Sequence, residues 1–263
     1  MNEVELLKAI GKEDLELVTR LVEGGADVNW IAGEADVKWL GDPPLCCAAR
    51  LRNVDILRYL IEKGANVNLA DIGGNTPLYG AVVSGRVENA RFLIQKGANT
   101  DIWEYEIGIV LGPAGEDSGL RTPPRPKKSI LDVVFYGLAS EELRKRRVEM
   151  ATLLLENGAS AHAVNCCPLE EAITMKSNEL LRLLIQKGAD ANETFTYGGS
   201  EFTPLGFAIK FGHEEVFKVL LENHANVGRK EVDLACEKHM YRYLKRAMKE
   251  LEPRRQGSWW WPF

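Results

Sequence analysis

Cysteine and histidine are the residue types in this chain that could bind a metal ion or attack a substrate. Adjacent cysteines occur twice, as Cys46-Cys47 and Cys166-Cys167, and His162 stands four residues before Cys166. Adjacent cysteines are poor chelating pairs, and the C-x-x-C spacing of structural zinc sites is absent from the sequence. Cys47 precedes the small residue Ala48 and Cys167 precedes Pro168, so we interpret these two as packing positions of the repeat and predict no metal site.

Carboxylates and histidines could act as general acids or bases, but their spacing does not favour catalysis. Glu170 and Glu171 are adjacent in a predicted helix, so their side chains point about 100° apart and cannot flank one bond. The segment HEEVF at 213–217 lacks the second histidine of a zinc-protease helix. Cys236 and His239 lie about one helical turn apart with no evident third group. We predict that the chain is not an enzyme and uses no cofactor.

The elements that position these residues follow an internal repeat. Residues 60–68 read LIEKGANVN, and close copies of this segment stand at residues 21–29, 93–101 and 184–192. Four proline-leucine pairs also recur, and each is followed by a small residue and then by a loop position at constant spacing. The pairs begin at Pro44, Pro77, Pro168 and Pro204; the small residues are Ala48, Ala81, Ala172 and Ala208; the loop positions are Gly64, Gly97, Gly188 and His224.

Each repeat predicts two short antiparallel helices. Proline fits the first helical position because its missing N–H has no partner there, and Thr76 and Thr203 directly before it are predicted N-caps. A second apolar stripe at helical spacing comes next, as in Val54, Leu57 and Leu60. Glycine then ends the second helix in the left-handed conformation. Because neither helix pair can bury its apolar face alone, the units must stack.

The pattern T-P-L, then A, then V-x-x-L-L-x-x-G-A-D/N-V-N resembles the ankyrin repeat, whose usual period is about 33 residues. Leu45 to Leu78 is 33 residues, and so is Gly64 to Gly97. The resemblance covers residues 3–228. It implies an all-α ankyrin-repeat solenoid of about six helix-turn-helix repeats with long hairpin fingers and a helical C-terminal cap.

The resemblance also implies how the chain is organised. One unit is longer than the others by eight residues, which we place around residues 140–147. Residues 229–252 are predicted to form the helical cap. We predict a single ankyrin-repeat domain over residues 1–253 and an aromatic C-terminal tail over residues 254–263. The repeats are expected to start near residues 3, 43, 75, 129, 167 and 202.

Two departures from the family pattern stand out. The family's histidine after T-P-L, which ties neighbouring repeats by hydrogen bonds, is absent. Its place is taken by Cys46, Tyr79, Asp132, Glu170 and Gly206. His224 sits where a loop glycine belongs, and a non-glycine residue in the left-handed region costs on the order of 1 kcal/mol.

Three connections are longer than the repeat requires: residues 30–42, 101–128 and 193–201. All come after the G-A-D/N signature and before the next helix. In an ankyrin solenoid this position is the hairpin finger, which projects along the concave rim. Insertions on one face of a repeat array often mark its binding face.

Aromatic residues are concentrated in these connections and in the tail. Trp and Tyr are enriched among binding hot spots, each contributing about 2 kcal/mol or more when well buried. We predict that ten of them contact a partner protein, the alternative being that they cover the edges of neighbouring helices. The ten are Trp30, Trp39, Trp103, Tyr105, Phe195, Tyr197, Phe202, Trp259, Trp260 and Trp261.

The resemblance implies protein binding through the concave face and fingers, with the chain acting as an adaptor, an inhibitor or a sequestering protein. The sequence does not name the partner. A net charge of −5 argues against bulk nucleic-acid binding, and no run of about 18 apolar residues is present. Five cysteines without a disulfide framework fit a reducing compartment. We expect a cytoplasmic protein, delivered into a host cell if it is a bacterial effector.

The C-terminal region supports an alternative function. Residues 237–255 carry seven basic and three acidic residues, a net charge of +4, and three consecutive tryptophans stand after them. The chain could therefore be a peripheral protein that binds a membrane surface or phosphate groups through this basic cap and the tail. For the tail itself we expect docking on its own last repeats, with a partner's groove or a membrane as alternatives.

Overall fold

The protein is described by a computed structural model, and its contacts divide the chain into two compact units. Unit 1 is Met1–Ala159 and unit 2 is Ser160–Phe263. The structure describes residues 2–31, 41–105, 126–135, 141–163 and 165–251.

The described part of unit 1 consists of four helix pairs and one short hairpin. Its elements are α1 (Asn2–Gly11), α2 (Leu15–Glu23), α3 (Pro44–Ala49), α4 (Asp55–Glu62), α5 (Pro77–Val83), α6 (Val87–Gln95), β1 (Trp103–Tyr105), β2 (Pro126–Ser129), α7 (Ile130–Phe135) and α8 (Glu141–Glu156). Each first helix packs on the second helix of its pair, and α1, α3, α5 and α7 pack in sequence to form one layer. The second helices form the other layer, in which α2 contacts α4 and α6 contacts α8.

Unit 2 repeats this arrangement and ends in the predicted helical cap. Its elements, over the described residues, are α9 (Pro168–Thr174), α10 (Asn178–Gln186), β3 (Phe195–Tyr197), β4 (Ser200–Phe202), α11 (Pro204–Phe211), α12 (Glu214–Glu222), α13 (Arg229–Glu237) and α14 (Tyr241–Leu251). The first helices α9, α11 and α13 pack in one layer, and the second helices α10, α12 and α14 pack in the other. This two-layer stacking of helix pairs confirms the predicted ankyrin-repeat architecture.

The first helices begin where proline and threonine predict. Pro44, Pro77, Pro168 and Pro204 each occupy the first helical turn. Thr76 Oγ1 accepts a hydrogen bond from the backbone N–H of Tyr79 at 3.3 Å, and Thr203 Oγ1 accepts one from Gly206 at 3.0 Å. Both predicted N-caps are therefore confirmed.

The small residues of the repeat lie where neighbouring first helices meet. Ala9, Ala48 and Ala81 in unit 1 and Ala172 and Ala208 in unit 2 are completely or almost completely buried. A methyl side chain at these positions leaves room for the next helix to pack closely, whereas a larger side chain would overfill a core of native density.

Asparagines at the end of the G-A-D/N-V-N signature join successive repeats. Asn68 Nδ2 donates a hydrogen bond to the carbonyl of Gly97 at 3.1 Å, and Asn68 Oδ1 accepts one from the N–H of Asn99 at 2.9 Å. Asn29 makes the same two bonds to the following repeat, and so does Asn192 in unit 2. We call this recurring pair of bonds the asparagine ladder. It satisfies loop backbone groups that no helix can satisfy.

The loop positions after the second helices adopt the left-handed conformation. Gly64, Gly97 and Gly188 have φ values of 92°, 89° and 101°. His224, at the same position of the last repeat, has φ 65°, as the sequence predicts. A side chain in this conformation is strained, so His224 is a local cost to stability.

The extra eight residues of the longer unit lengthen one helix. Helix α8 has 16 residues, whereas α2, α4 and α6 have eight or nine. The predicted location around residues 140–147 is therefore confirmed. Residues 142–146 are all exposed, and five successive residues point to every side of a helix, so this turn extends beyond its packed neighbours.

Two of the side chains that replace the family's histidine make local hydrogen bonds. The Cys46 thiol lies within hydrogen-bonding distance of the carbonyls of Leu69 and Asn75, at 3.5 and 3.6 Å. Asp132 Oδ2 accepts a bond from the N–H of Ser129 at 2.7 Å, at the start of α7. The repeats thus replace one recurring histidine with different local contacts.

Within the described ranges, no helix is both long and apolar enough to cross a membrane. This agrees with the absence of a long apolar run in the sequence.

Candidate partner-binding surface

The connection at residues 193–201, expected to be a finger, forms the β-hairpin β3–β4. Gly198 and Gly199 join its strands with φ values of 57° and 78°, the positive angles that a tight two-residue hairpin turn requires. Phe195 pairs with Phe202, and Tyr197 pairs with Ser200. Because side chains alternate along a strand, Phe195, Tyr197 and Phe202 share one face of the hairpin.

Phe195, Tyr197 and Phe202 pack against α11 through aromatic contacts. The ring of Phe207, which is only 2% exposed, lies 5.2 Å from the ring of Phe195 and 5.1 Å from that of Tyr197. The Phe202 ring lies 6.0 Å away. All three contacts are edge-to-face, the arrangement that aromatic rings favour. The hairpin is therefore held over the helix by its aromatic face.

The outer edge of this cluster remains open to solvent. Tyr197 is 41% exposed and Phe211 is 44% exposed, and their rings meet edge-on at 5.7 Å. The ammonium of Lys210 lies 4.3 Å from the centre of the Phe202 ring, and two further rings are within reach, at 6.0 Å for Tyr197 and 5.8 Å for Phe211. We call the exposed surface formed by Tyr197 of the hairpin and by Lys210 and Phe211 of α11 the hairpin face. It joins two half-exposed rings to one positive charge.

His213 extends the hairpin face toward the turn that precedes α12. Its ring stacks on the ring of Phe211, with centroids 6.5 Å apart. Burial lowers the pKa of His213, and the positive charge of Lys176 lowers it further. The imidazole is therefore neutral near pH 7, and it adds a flat, weakly polar surface beside the rings.

The structure brings three of the ten predicted contact residues together in unit 2, three others belong to unit 1, and four lie outside the described residues. Phe195, Tyr197 and Phe202 form the cluster just described. Trp30 is half-buried at the end of the first repeat. Trp103 and Tyr105 belong to β1, which pairs with β2 in antiparallel fashion. Four residues lie outside the described residues: Trp39, Trp259, Trp260 and Trp261.

Phe207, Lys210 and Phe211 were not among the predicted contact residues. The prediction rests on aromatic residues outside the helix pairs, whereas these three lie within α11. A usable signal was present, because Phe207 and Phe211 are four residues apart and so lie on one side of a helix. The helix that carries them also comes directly after an enlarged connection.

Three of the five cysteines, Cys46, Cys47 and Cys167, are buried packing residues, whereas Cys166 is half-buried and Cys236 is exposed. Burial raises the pKa of Cys47 to about 12 and that of Cys167 to about 11, and it raises the pKa of Cys46 as well. Thiols with such pKa values are protonated near neutral pH, and it is the thiolate that attacks substrates and binds metals. Across the residues that the structure describes, no three His, Cys, Asp or Glu side chains are grouped as a metal site requires.

Glu170 is the carboxylate whose titration the structure changes most clearly. Burial raises its pKa to about 7, and the neighbouring charge of Glu171 contributes in the same direction. Glu170 lies on the first helix α9, where the family has its histidine. Because the pKa of this half-buried carboxyl changes on folding, it makes stability depend on pH.

Comparisons with known proteins agree with this architecture. A family model described as ankyrin repeats (3 copies) matches residues 6–103 and 139–231. The human 2-5A-dependent ribonuclease is 38% identical over 80 residues, which are 30% of this chain and 10% of that protein. The chain thus spans about a tenth of the length of this curated relative. The crystal structure of the human ASB11 ankyrin repeat domain matches with a TM-score of 0.51 at 22% identity, covering 92% of this chain and 96% of that one.

Proposed function

Because the chain belongs to the ankyrin-repeat family, we propose that it binds a partner protein and that the hairpin face of unit 2 is the main point of contact. Ankyrin repeats are generally protein-interaction modules rather than enzymes. The ribonuclease similarity covers only a tenth of that enzyme, so its activity is not transferred to this chain.

The observation that carries the proposal is the edge-on pair of Tyr197 and Phe211 beside Lys210. Interface hot spots are enriched in aromatic residues that gain a large contact area on binding. These two rings are fixed by Phe207 beneath them, so binding need not order them. The charge of Lys210 favours a partner surface that places an acidic residue next to an apolar one.

This surface supports a mode of action in which the protein acts by remaining bound to its partner. The described residues offer a rigid aromatic contact and no catalytic arrangement. We therefore place the protein among adaptors, inhibitors and sequestering proteins, which act by holding or covering a target. The cytoplasm is the compartment we propose, since five cysteines occur without a disulfide framework.

The test is affinity capture from an extract of the source organism, with mass spectrometry to identify captured proteins and calorimetry on each purified candidate. We expect the double variant Tyr197→Ala/Phe211→Ala to lower affinity by about 30-fold or more, as loss of a hot spot worth about 2 kcal/mol requires. The variant Lys210→Glu keeps every ring and should also weaken binding, by about tenfold.

The matched control is Ile72→Ala/Val83→Ala, which truncates two similarly exposed apolar residues of unit 1. Thermal unfolding of all variants shows whether the fold is retained. If the hairpin variants and the control bind a captured partner with equal affinity, the hairpin face is not the contact and the proposal is wrong.

A further inference from the structure

Helix α14 carries a stripe of positive charge on its solvent side. Arg242, Lys245, Arg246 and Lys249 lie at spacing i, i+3, i+4 and i+7, and their side chains project away from the protein core. Successive residues of a helix turn by about 100°, so the four side chains fall within an arc of about 100°. We call these four residues the basic stripe. The opposite side of α14 is occupied, since Leu244 and Met248 are buried and the helix packs on α12 and α13.

Neighbouring acids neutralise the basic stripe only in part. Among the described residues, Arg246 is the one stripe member in an ion pair, with its Nε 3.0 Å from Glu250. Lys218 of α12 lies 3.8 Å from the same carboxylate and adds another positive charge nearby. Like charges at this spacing repel each other and destabilise a helix. Most of the charge of the basic stripe therefore does not stabilise the folded chain.

Two acids of α12 have partners on the side of that helix away from the basic stripe. Glu215 accepts a hydrogen bond from Asn178, and Glu222 pairs with Arg182 at 2.9 Å. Both of these partners belong to α10, on the side of α12 opposite to α14. The exposed side of α14 thus carries four basic side chains although the whole chain has a net charge of −5.

We propose that the basic stripe docks the protein on an anionic phospholipid surface. Lysines and arginines on one helical face attract the negative leaflet of a membrane, each contributing about a fivefold gain in partitioning. The apolar side of α14 is already buried in the protein. Docking by this helix is therefore electrostatic and peripheral, without insertion into the hydrocarbon.

A lipid surface fits better than nucleic acid or an acidic protein because tryptophans lie close to the basic stripe in the sequence. Three consecutive tryptophans begin eight residues after Leu251, at Trp259. Tryptophan is enriched at the boundary between lipid headgroups and hydrocarbon, especially beside basic residues. Duplex nucleic acid gives no reason for that combination, and binding to an acidic protein is a separate outcome of the test below.

The test uses the full chain and vesicles of two compositions, phosphatidylcholine alone and phosphatidylcholine with phosphatidylserine. In co-sedimentation, we expect binding to the phosphatidylserine vesicles only, with partitioning that falls steeply as salt rises because screening shortens the range of the attraction. The stripe variant Lys245→Glu/Lys249→Glu should lower partitioning at least tenfold. Its new carboxylates lie three residues after Arg242 and Arg246, a favourable helical spacing, so the fold should persist.

The matched control Lys12→Glu/Lys187→Glu makes the same change in net charge at two exposed lysines elsewhere. It should bind phosphatidylserine vesicles as the natural chain does. Equal losses in both variants would mean a general charge effect and would overturn the proposal. So would the absence of phosphatidylserine-dependent binding, or stripe-dependent binding to a short DNA duplex or to polyglutamate without binding to vesicles.

Discussion

The hydroxyl of Thr203 donates a hydrogen bond to the carboxylate of Glu231 over 2.9 Å. The same carboxylate accepts a bond from the N–H of Gly228, also at 2.9 Å, and Thr203 in turn accepts from Gly206. One buried acid thus joins the start of α11 to the start of α13. Gly206 occupies the position of the family's histidine and has no side chain, so Glu231 supplies this link from the next repeat.

Replacement of Glu231 by alanine should destabilise unit 2. The change leaves two donors without their partner, and each hydrogen bond to a buried charged group contributes about 1.5–3 kcal/mol. We expect the thermal midpoint to fall, and to fall by less in Glu231→Gln, which keeps an acceptor oxygen. Circular dichroism measures both, and equal midpoints for all three chains would contradict the proposed link.

The asparagine ladder predicts that replacing Asn68 lowers the free energy of unfolding. The variant Asn68→Ala removes one donor and one acceptor between successive repeats and should cost about 1–2 kcal/mol in urea unfolding. Asn226→Ala is the matched control, because Asn226 takes part in the ladder through its backbone N–H alone. Comparable losses in both variants would show that the side-chain bonds are not the cause.

Replacement of His224 by glycine should stabilise the folded chain. Its φ of 65° lies in the left-handed region, where a side chain costs about 1 kcal/mol relative to glycine. The ladder bond from Asn192 is to the backbone carbonyl of His224, so it survives the change. We expect His224→Gly to raise the free energy of unfolding by about 0.5–1 kcal/mol. The reverse change at the equivalent position, Gly188→Ala, should lower it.

Glu170 should make stability depend on pH. Its folded-state pKa of about 7 exceeds its ordinary value of 4.5. The folded chain therefore holds this proton more tightly, so the contribution is fully present below pH 4.5 and is lost as pH rises to about 7. Because the group is half-exposed, we expect a loss of about 1 kcal/mol or less.

The variant Glu170→Gln tests that dependence directly, since glutamine stays neutral. It should unfold at a higher temperature than the natural chain at pH 8, and the difference should shrink toward pH 5. A constant difference across this range would assign the effect to packing instead. Glu171→Gln is the useful comparison, because it removes the charge that helps to raise the pKa of Glu170.

The repeat pattern predicts most of the fold because its signals are local. Proline at the first turn, threonine before it and a left-handed residue after the second helix each act within a few residues. Thr76 and Thr203 cap their helices as threonine is expected to, and His224 takes the left-handed conformation that its place in the repeat predicts. The longer α8 is likewise visible as a change in spacing.

The candidate surface is harder to predict because it depends on contacts between distant elements. Whether Tyr197 is exposed depends on the position of Phe207 and Phe211 beneath the hairpin, and the sequence shows their spacing without their distance from it. The role of Asn68 is similar. Its recurrence is visible in the sequence, but the direction of its amide toward the next repeat is a property of the folded chain.

The asparagine ladder also makes the repeats interchangeable in principle. Each participating repeat offers a side-chain amide to the next unit and a backbone carbonyl and N–H to the preceding one. Asn29 and Asn68 present the same two atoms to consecutive repeats of unit 1. Duplication or deletion of one of these repeats would therefore keep both ladder bonds at the new junction. These loops therefore tolerate the gain or loss of one whole repeat. Insertions of other lengths must be accommodated in the fingers.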